Sequence, residues 1–276
     1  MHRAQANAPC PIDSLISYHV IHDSCLGRKK YIKVDFFCGV KIPSSSQLIT
    51  SGFSLFAFDT EHDMNILTRG SLLGDKLTTV ALGTIGLKPN RQTEIAKQIY
   101  DMGTLLKIVT KPDLLESFDA FERLTCLKVG NFNHDPKYEV SDIVDSIEES
   151  VSGLLRLENA VSITGIQGTR HAGFQNTYLA KSANYKKTEH VTDILLVSLY
   201  NRYVRRYLGK EITRNGAADS LHGILRQLNA IKGKADNAPE MRTSYIRDIP
   251  DSVSFNKKIL NAALLEHVFL LRELHS

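Results

Sequence analysis

The chain has 276 residues, 42% hydrophobic and 23% charged. This is enough apolar material for a sizeable core in one or two domains, and it excludes a disordered chain. The net charge is +4 from 34 basic and 30 acidic residues, too small to mark a nucleic-acid binder by itself. No apolar run approaches the ~18 residues of a membrane span.

The N-terminal stretch has no hydrophobic signal core, so the expectation is a cytoplasmic rather than a secreted protein. Cys10, Cys25, Cys38 and Cys126 show no C-x-x-C spacing and read as reduced thiols.

In chain order, strands come first. Residues 18–23 and 31–37 flank a turn-like Cys25-Leu26-Gly27-Arg28. Within the second, Ile32, Val34 and Phe36 share one face, and Lys33 and Asp35 the other, which is the period of a half-buried strand. Further strands are predicted over 53–58 and 63–67. A helix follows over 72–82. The next, over 93–109, carries Ile95, Ile99, Met102, Leu106 and Val109 at spacings of four and three. Pro112 opens another, with Leu114, Leu115, Phe118, Phe121 and Leu124 as its apolar set.

Residues 128–138 hold Gly, two Asn and Pro and read as a linker. Beyond it the pattern is helical, with stripes from Ile143 to Leu155, over 191–208, over 221–231 and over 255–274. The last has near-heptad spacing that includes Leu260, Leu264 and His267. The Gly-, Thr- and Asn-rich stretch 161–187 reads as a long loop. The expected architecture is α+β: a small mixed sheet with helices over 1–127, then an α-helical bundle over 128–276.

Three positions stand out chemically. Asp35 lies on the polar face of an otherwise apolar strand, as a solvated residue or a functional one. Lys76 lies within an apolar arc between Leu72 and Val80. It must snorkel to water or meet an anion. Asp101 borders the Ile95–Ile99–Met102 stripe, where a surface pair with Lys97 at i,i+4 is the plain reading.

Read together, the segment LLGDKLTTVALGTIGLKPNRQTEIAKQIYDMGTLLK resembles the AbiEii/AbiGii toxin family, abortive-infection nucleotidyltransferases with a polymerase-β-like fold. Leu72, Asp75, Lys76, Leu77 and Ala81 match that family's L-x-x-D-K-L-like helix. Arg91, Tyr100 and Asp101 match its R…D-x-Y-D-L-like helix, with Met102 where Leu is usual. The strand IKVDFFCG is similar to its K-V-D strand. The resemblance covers about residues 18–110.

It implies divalent-metal-dependent transfer of a nucleoside monophosphate from an NTP to an acceptor, in some members a tRNA 3′ end. Mg²⁺ (or Mn²⁺) would neutralise phosphate charge and align the reacting groups. Carried over, Asp35 is the third metal carboxylate or a base-like residue, Lys76 holds the phosphates, and Asp101 orients Lys76 or helps to position the nucleotide. A cognate antitoxin is an implied partner.

One departure matters. The family's Gly-Gly or Gly-Ser turn and D-x-D strand are missing before Asp35, where only Asp13 and Asp23 are acidic. The expectation is therefore an N-terminally incomplete nucleotidyltransferase domain, or a degenerate one that binds a partner or RNA without catalysis. Failing both, the chain lies outside the family.

Other signals are weaker. Arg202, Arg205 and Arg206 share one helix face, followed by Lys210, with Tyr200, Tyr203 and Tyr207 interleaved. This is an RNA-facing surface or a solvated face with tyrosines packed inward. His19 and His22 point to opposite faces of a strand and cannot share a metal. His134 lies in the linker, and His267 reads as a hydrogen-bonded core histidine. Gly165–His171 lacks the G-K-[ST] end of a phosphate loop.

Overall fold

In the computed structural model the described residues are 2–3, 14–23, 29–38, 46–49, 54–55, 58–59, 64–131, 138–164, 174, 178–179, 185–232 and 265–275. They are mostly helical. The strands are β1 (His2–Arg3), β2 (Ser14–Asp23), β3 (Lys29–Cys38), β4 (Ser46–Ile49), β5 (Ser54–Leu55), β6 (Phe58–Asp59) and β7 (Met64–Leu67). The helices are α1 (Arg69–Thr79), α2 (Gln92–Leu106), α3 (Lys111–Asn131), α4 (Val140–Thr164), α5 (Lys187–Leu208), α6 (Arg214–Lys232) and α7 (Leu265–His275).

β1, β2 and β3 form one antiparallel sheet in that order, with Ser17 opposite Asp35 and Tyr18 opposite Val34. β4 pairs with β7, and β5 with β6, both antiparallel. Among the described residues no parallel pairing occurs, so a mixed sheet is not seen. Within the single strand predicted over 53–58 the described residues fall in two short antiparallel strands, with Leu55 opposite Phe58. Two residues separate them, a span that periodicity over six positions cannot distinguish from continuous strand.

α1 is capped by Thr68, whose Oγ1 accepts from Ser71 N at 3.2 Å. Thr68 and Ser71 hydroxyls both donate to the Glu116 carboxylate of α3, the latter at 2.9 Å. This places a carboxylate at the positive end of α1. The two helices then approach closely. A Cβ at Gly70 would sit 2.5 Å from Asp113 O, and one at Gly74 would sit 2.6 Å from Ser117 O. Only a residue without a side chain lets the backbones meet there.

α3 begins on a reciprocal cap. Thr110 N donates to Asp113 Oδ2 at 2.8 Å, and Asp113 N donates to Thr110 Oγ1 at 3.4 Å. Pro112 falls in its first turn, where a missing N–H costs nothing. α3 runs on to Asn131, so residues 128–131, read as linker, are helical, and the boundary at 127/128 falls inside this helix. Residues 132–137, with His134, lie outside the described residues. α4 likewise reaches Thr164, into the stretch read as loop. Gly165–His171 and residues 255–264, with Leu260 and Leu264, lie outside the described residues, as do Cys10 and Cys25.

One buried cluster joins α1 to α7, from Leu73 and Leu77 through Ile99, Phe118, Ile147 and Leu199 to Phe269. α5 is its axis, packing against α2, α4, α6 and α7. Ile194, Val197, Leu199, Tyr200 and Val204 of α5 are wholly enclosed. His267 of α7 is the expected core histidine. Its Nε2 lies 3.0 Å from Thr188 O and 2.9 Å from Thr192 Oγ1 on α5. Burial lowers its pKa, outweighing the Thr188 hydrogen bond, which acts the other way. No described helix is long and apolar enough to cross a membrane.

Candidate functional site

Lys76 comes from the last turn of α1, a helix that buries Leu73 and Leu77 on its inner side. Its ammonium reaches α2. Nζ donates to Asp101 Oδ2 at 2.6 Å and to Gln98 Oε1 at 3.0 Å. Lys97 Nζ donates to the same Asp101 oxygen at 2.7 Å. Gln98 and Lys97 lie one turn before Asp101, so α2 places all three beside its Ile95–Ile99–Met102 stripe.

The Lys76 side chain is 16% exposed and that of Asp101 is 23%. Asp101 makes two contacts at once. It pairs with Lys97 along its own helix and with Lys76 across helices. Two ammoniums share one carboxylate, leaving one positive charge in excess. Lys76 has three N–H donors, and two are engaged.

Asp75, the neighbour of Lys76, faces the other way. Its Oδ1 accepts from Lys128 Nζ of α3 at 2.9 Å, and Lys128 also bonds Thr78 Oγ1. Arg91 stays with Glu94 of its own helix at 2.9 Å, both largely exposed. Asp35 is placed in β3 opposite Ser17. The described contacts bring Lys76 and Asp101 together, and the Asp35 side chain lies outside what the structure describes.

A second polar group lies further along α2. Asp193 of α5 is fully buried, yet Lys107 Nζ donates to its Oδ1 at 2.6 Å and Tyr185 Oη to its Oδ2 at 2.7 Å. The Tyr185 oxygen is also 3.2 Å from His190 Nδ1. Because the phenol gives its proton to Asp193, Nδ1 of His190 carries the proton in that contact. Burial first, and then the Asp193 charge, push the Tyr185 phenol far above the usual tyrosine range. A Cβ at Gly103 would lie 2.2 Å from the Asp193 carboxyl, so the glycine makes the space for it.

Tyr100, Phe174, Tyr185 and Tyr178 form an aromatic cluster beside this group. Sequence reasoning missed Asp193, although one signal was present: a lone aspartate in the apolar run VTDILLVSLY. Tyr185 and Lys107 carried no such signal, because their partners are far along the chain.

The arginine face of α5 resolves into three local contacts. Arg202 Nη1 donates to Glu273 O at 3.1 Å, Arg205 pairs with Asp145 of α4, and Arg206 lies 3.4 Å from Glu211 and over the Tyr203 ring. Tyr200 and Tyr203 pack inward and are buried. Lys210 follows the helix with a positive φ of 60° and is exposed. Two of its four basic residues, Arg205 and Arg206, are thus charge-paired, and Arg202 is held by a backbone carbonyl.

Among the described residues no group of three or more His, Cys, Asp or Glu side chains comes together. The Asp101 carboxylate is held by two lysines. Comparison with protein-family models, with curated proteins and with solved structures finds no match.

Proposed function

We propose that this chain is a nucleotidyltransferase-family protein that transfers a nucleoside monophosphate from an NTP to an acceptor such as tRNA. On this reading it is the toxin of a toxin–antitoxin or abortive-infection system. The N-terminal part, through the end of α3, then carries a polymerase-β-like fold, and the rest of the chain a helical bundle. The observation that carries the reading is the shared carboxylate. Lys76 and Asp101, matched to the family pattern by residue type and spacing alone, meet at 2.6 Å across two helices. With Lys97 they form a half-buried group with one positive charge in excess, as a phosphate site requires.

In this role Lys76 contacts the triphosphate as a point charge. Asp101 and Gln98 hold its ammonium in place, so that less freedom is lost when the anion binds. The reaction's Mg²⁺ or Mn²⁺ would draw on ligands beyond the described side chains, with Asp35 as one carboxylate.

The test is transfer of label from each of the four α-³²P NTPs to total tRNA, with Mg²⁺ or Mn²⁺. The expected result is labelling by the wild type, lost in Lys76→Ala and Asp101→Ala, with unchanged circular dichroism. Absence of labelling with every NTP and both metals would refute transfer. The second reading, a catalytically inactive fold that binds an antitoxin or RNA, would then take its place.

A further inference from the structure

Lys97 connects two features that the transfer reading leaves separate. Its Nζ is 2.7 Å from Asp101 Oδ2, and it also lies over the Tyr178 ring, 6.0 Å from the centroid. Tyr178 is 44% exposed, among the most open large side chains described. It is nonetheless held in place. Its ring is 5.9 Å from that of Phe174, which is buried and in turn 5.2 Å from Tyr100 and 5.8 Å from Tyr185. Tyr185 is fastened to the buried Asp193. An aromatic ring open to solvent and backed by a packed cluster therefore stands beside two ammoniums that share one carboxylate.

We propose that Tyr178 is a stacking platform for a nucleobase, and that Lys97 and Lys76 receive the phosphates of the same nucleotide. Once the Lys97 ammonium, 6.0 Å from the ring centroid, turns to the phosphates, the ring offers a π-face to any base, so the contact favours nucleotides over inorganic phosphate without selecting strongly among bases. The lysines supply the charge that neutral nucleosides cannot use. Lys97 stands between the ring and Asp101, so base and phosphates can engage the two features within the span of one nucleotide. Free NTP and the end of a single-stranded RNA present the same chemistry. The inference rests on the phosphate role proposed for Lys76 but requires no catalysis.

The chain has no tryptophan, which makes the test direct. In Tyr178→Trp the new indole is the sole tryptophan, and a base stacked on it should quench its emission. Titrations would use ATP, UTP, tripolyphosphate and a short oligouridylate, without divalent metal. ATP or UTP should quench saturably, and tripolyphosphate should not. Whichever of ATP or the oligonucleotide binds tighter identifies the source of the base.

In the otherwise wild-type chain, Tyr178→Ala should weaken fluorescent-nucleotide binding roughly 5- to 100-fold, as loss of one base–aromatic stack does. Tyr178→Phe should stay within about twofold, because it keeps the π-face. Equal binding by wild type and Tyr178→Ala would overturn the platform. If Lys76→Ala still weakened binding in that assay, the phosphate role would survive on its own. No binding of any nucleotide or oligonucleotide to the wild type would overturn both.

Discussion

Replacing glycine by alanine at four helical positions separates close helix packing from ordinary helix propensity. In an open helix interior Gly→Ala stabilises by about 0.5–1 kcal/mol, since glycine loses more backbone freedom on folding. Gly153 of α4 and Gly223 of α6 have nothing within 4 Å of an added Cβ, and each should show that gain.

Gly74 of α1 is different. Its Cβ would lie 2.6 Å from Ser117 O, 2.7 Å from Phe121 N and 2.9 Å from the Ala120 Cβ. Two of these are backbone atoms, so no rotamer change relieves the overlap and α1 must move off α3. Overpacking of this kind costs roughly 1–3 kcal/mol, and the propensity gain offsets only part of it. The expected net is a loss of about 1–2 kcal/mol. Near 2–4 °C per kcal/mol for chains of this size, that lowers Tm by several degrees, while Gly153→Ala and Gly223→Ala raise it by about 2 °C each. Urea denaturation with a constant m-value is the assay. If Gly74→Ala stabilised as much as Gly153→Ala, the close approach of α1 and α3 would be refuted.

Gly103→Ala should be worse than Gly74→Ala, because the new methyl would displace the buried Asp193 carboxyl and its Lys107 and Tyr185 partners; the two variants' unfolding midpoints compare them directly. Lys107→Met should cost about 3 kcal/mol, the low end for a broken buried pair since Lys107 is partly exposed, and adding Asp193→Asn should restore part of it; a double mutant no more stable than Lys107→Met would show that the pair is not the cause. Tyr200→Phe should change stability by less than about 1 kcal/mol, because among the described residues the buried hydroxyl has at most the Ser117 hydroxyl beside it, and that hydroxyl donates to Leu114 O; a clear loss in thermal unfolding would contradict this.

His267 predicts a pH dependence. Its folded pKa lies below the ordinary value, so the unfolded chain takes up the proton first. Its contribution is fully present above about pH 6.5 and is lost as pH falls from there through the folded pKa. His267→Gln should flatten the Tm profile between pH 7.5 and 5.5, and an unchanged slope would place that dependence on other groups.

By itself the sequence determined what depends on neighbours along the chain. The four-and-three spacing of Ile95, Ile99, Met102 and Leu106 marks α2 and its inner face, and all four are buried. The alternation around Asp35 marks β3. A lysine among leucines at position 76 signals an unmet charge, because its ammonium is costly to bury alone. His267 in an apolar stripe signals a satisfied core histidine for the same reason.

Local pattern could not place the end of α3, because Gly, Asn and Lys in its last turn read equally well as helix or linker. Only the tertiary structure decided that Lys76 and Lys97 meet one and the same oxygen of Asp101. It alone showed that the arginines of α5 are drawn off to Glu273, Asp145 and Glu211. The buried Asp193 with Lys107, Tyr185 and His190 belongs there too. Lys107 stands 86 residues from Asp193, and the strength of a contact between charges depends on distance in space and on exclusion of water, neither of which periodicity records.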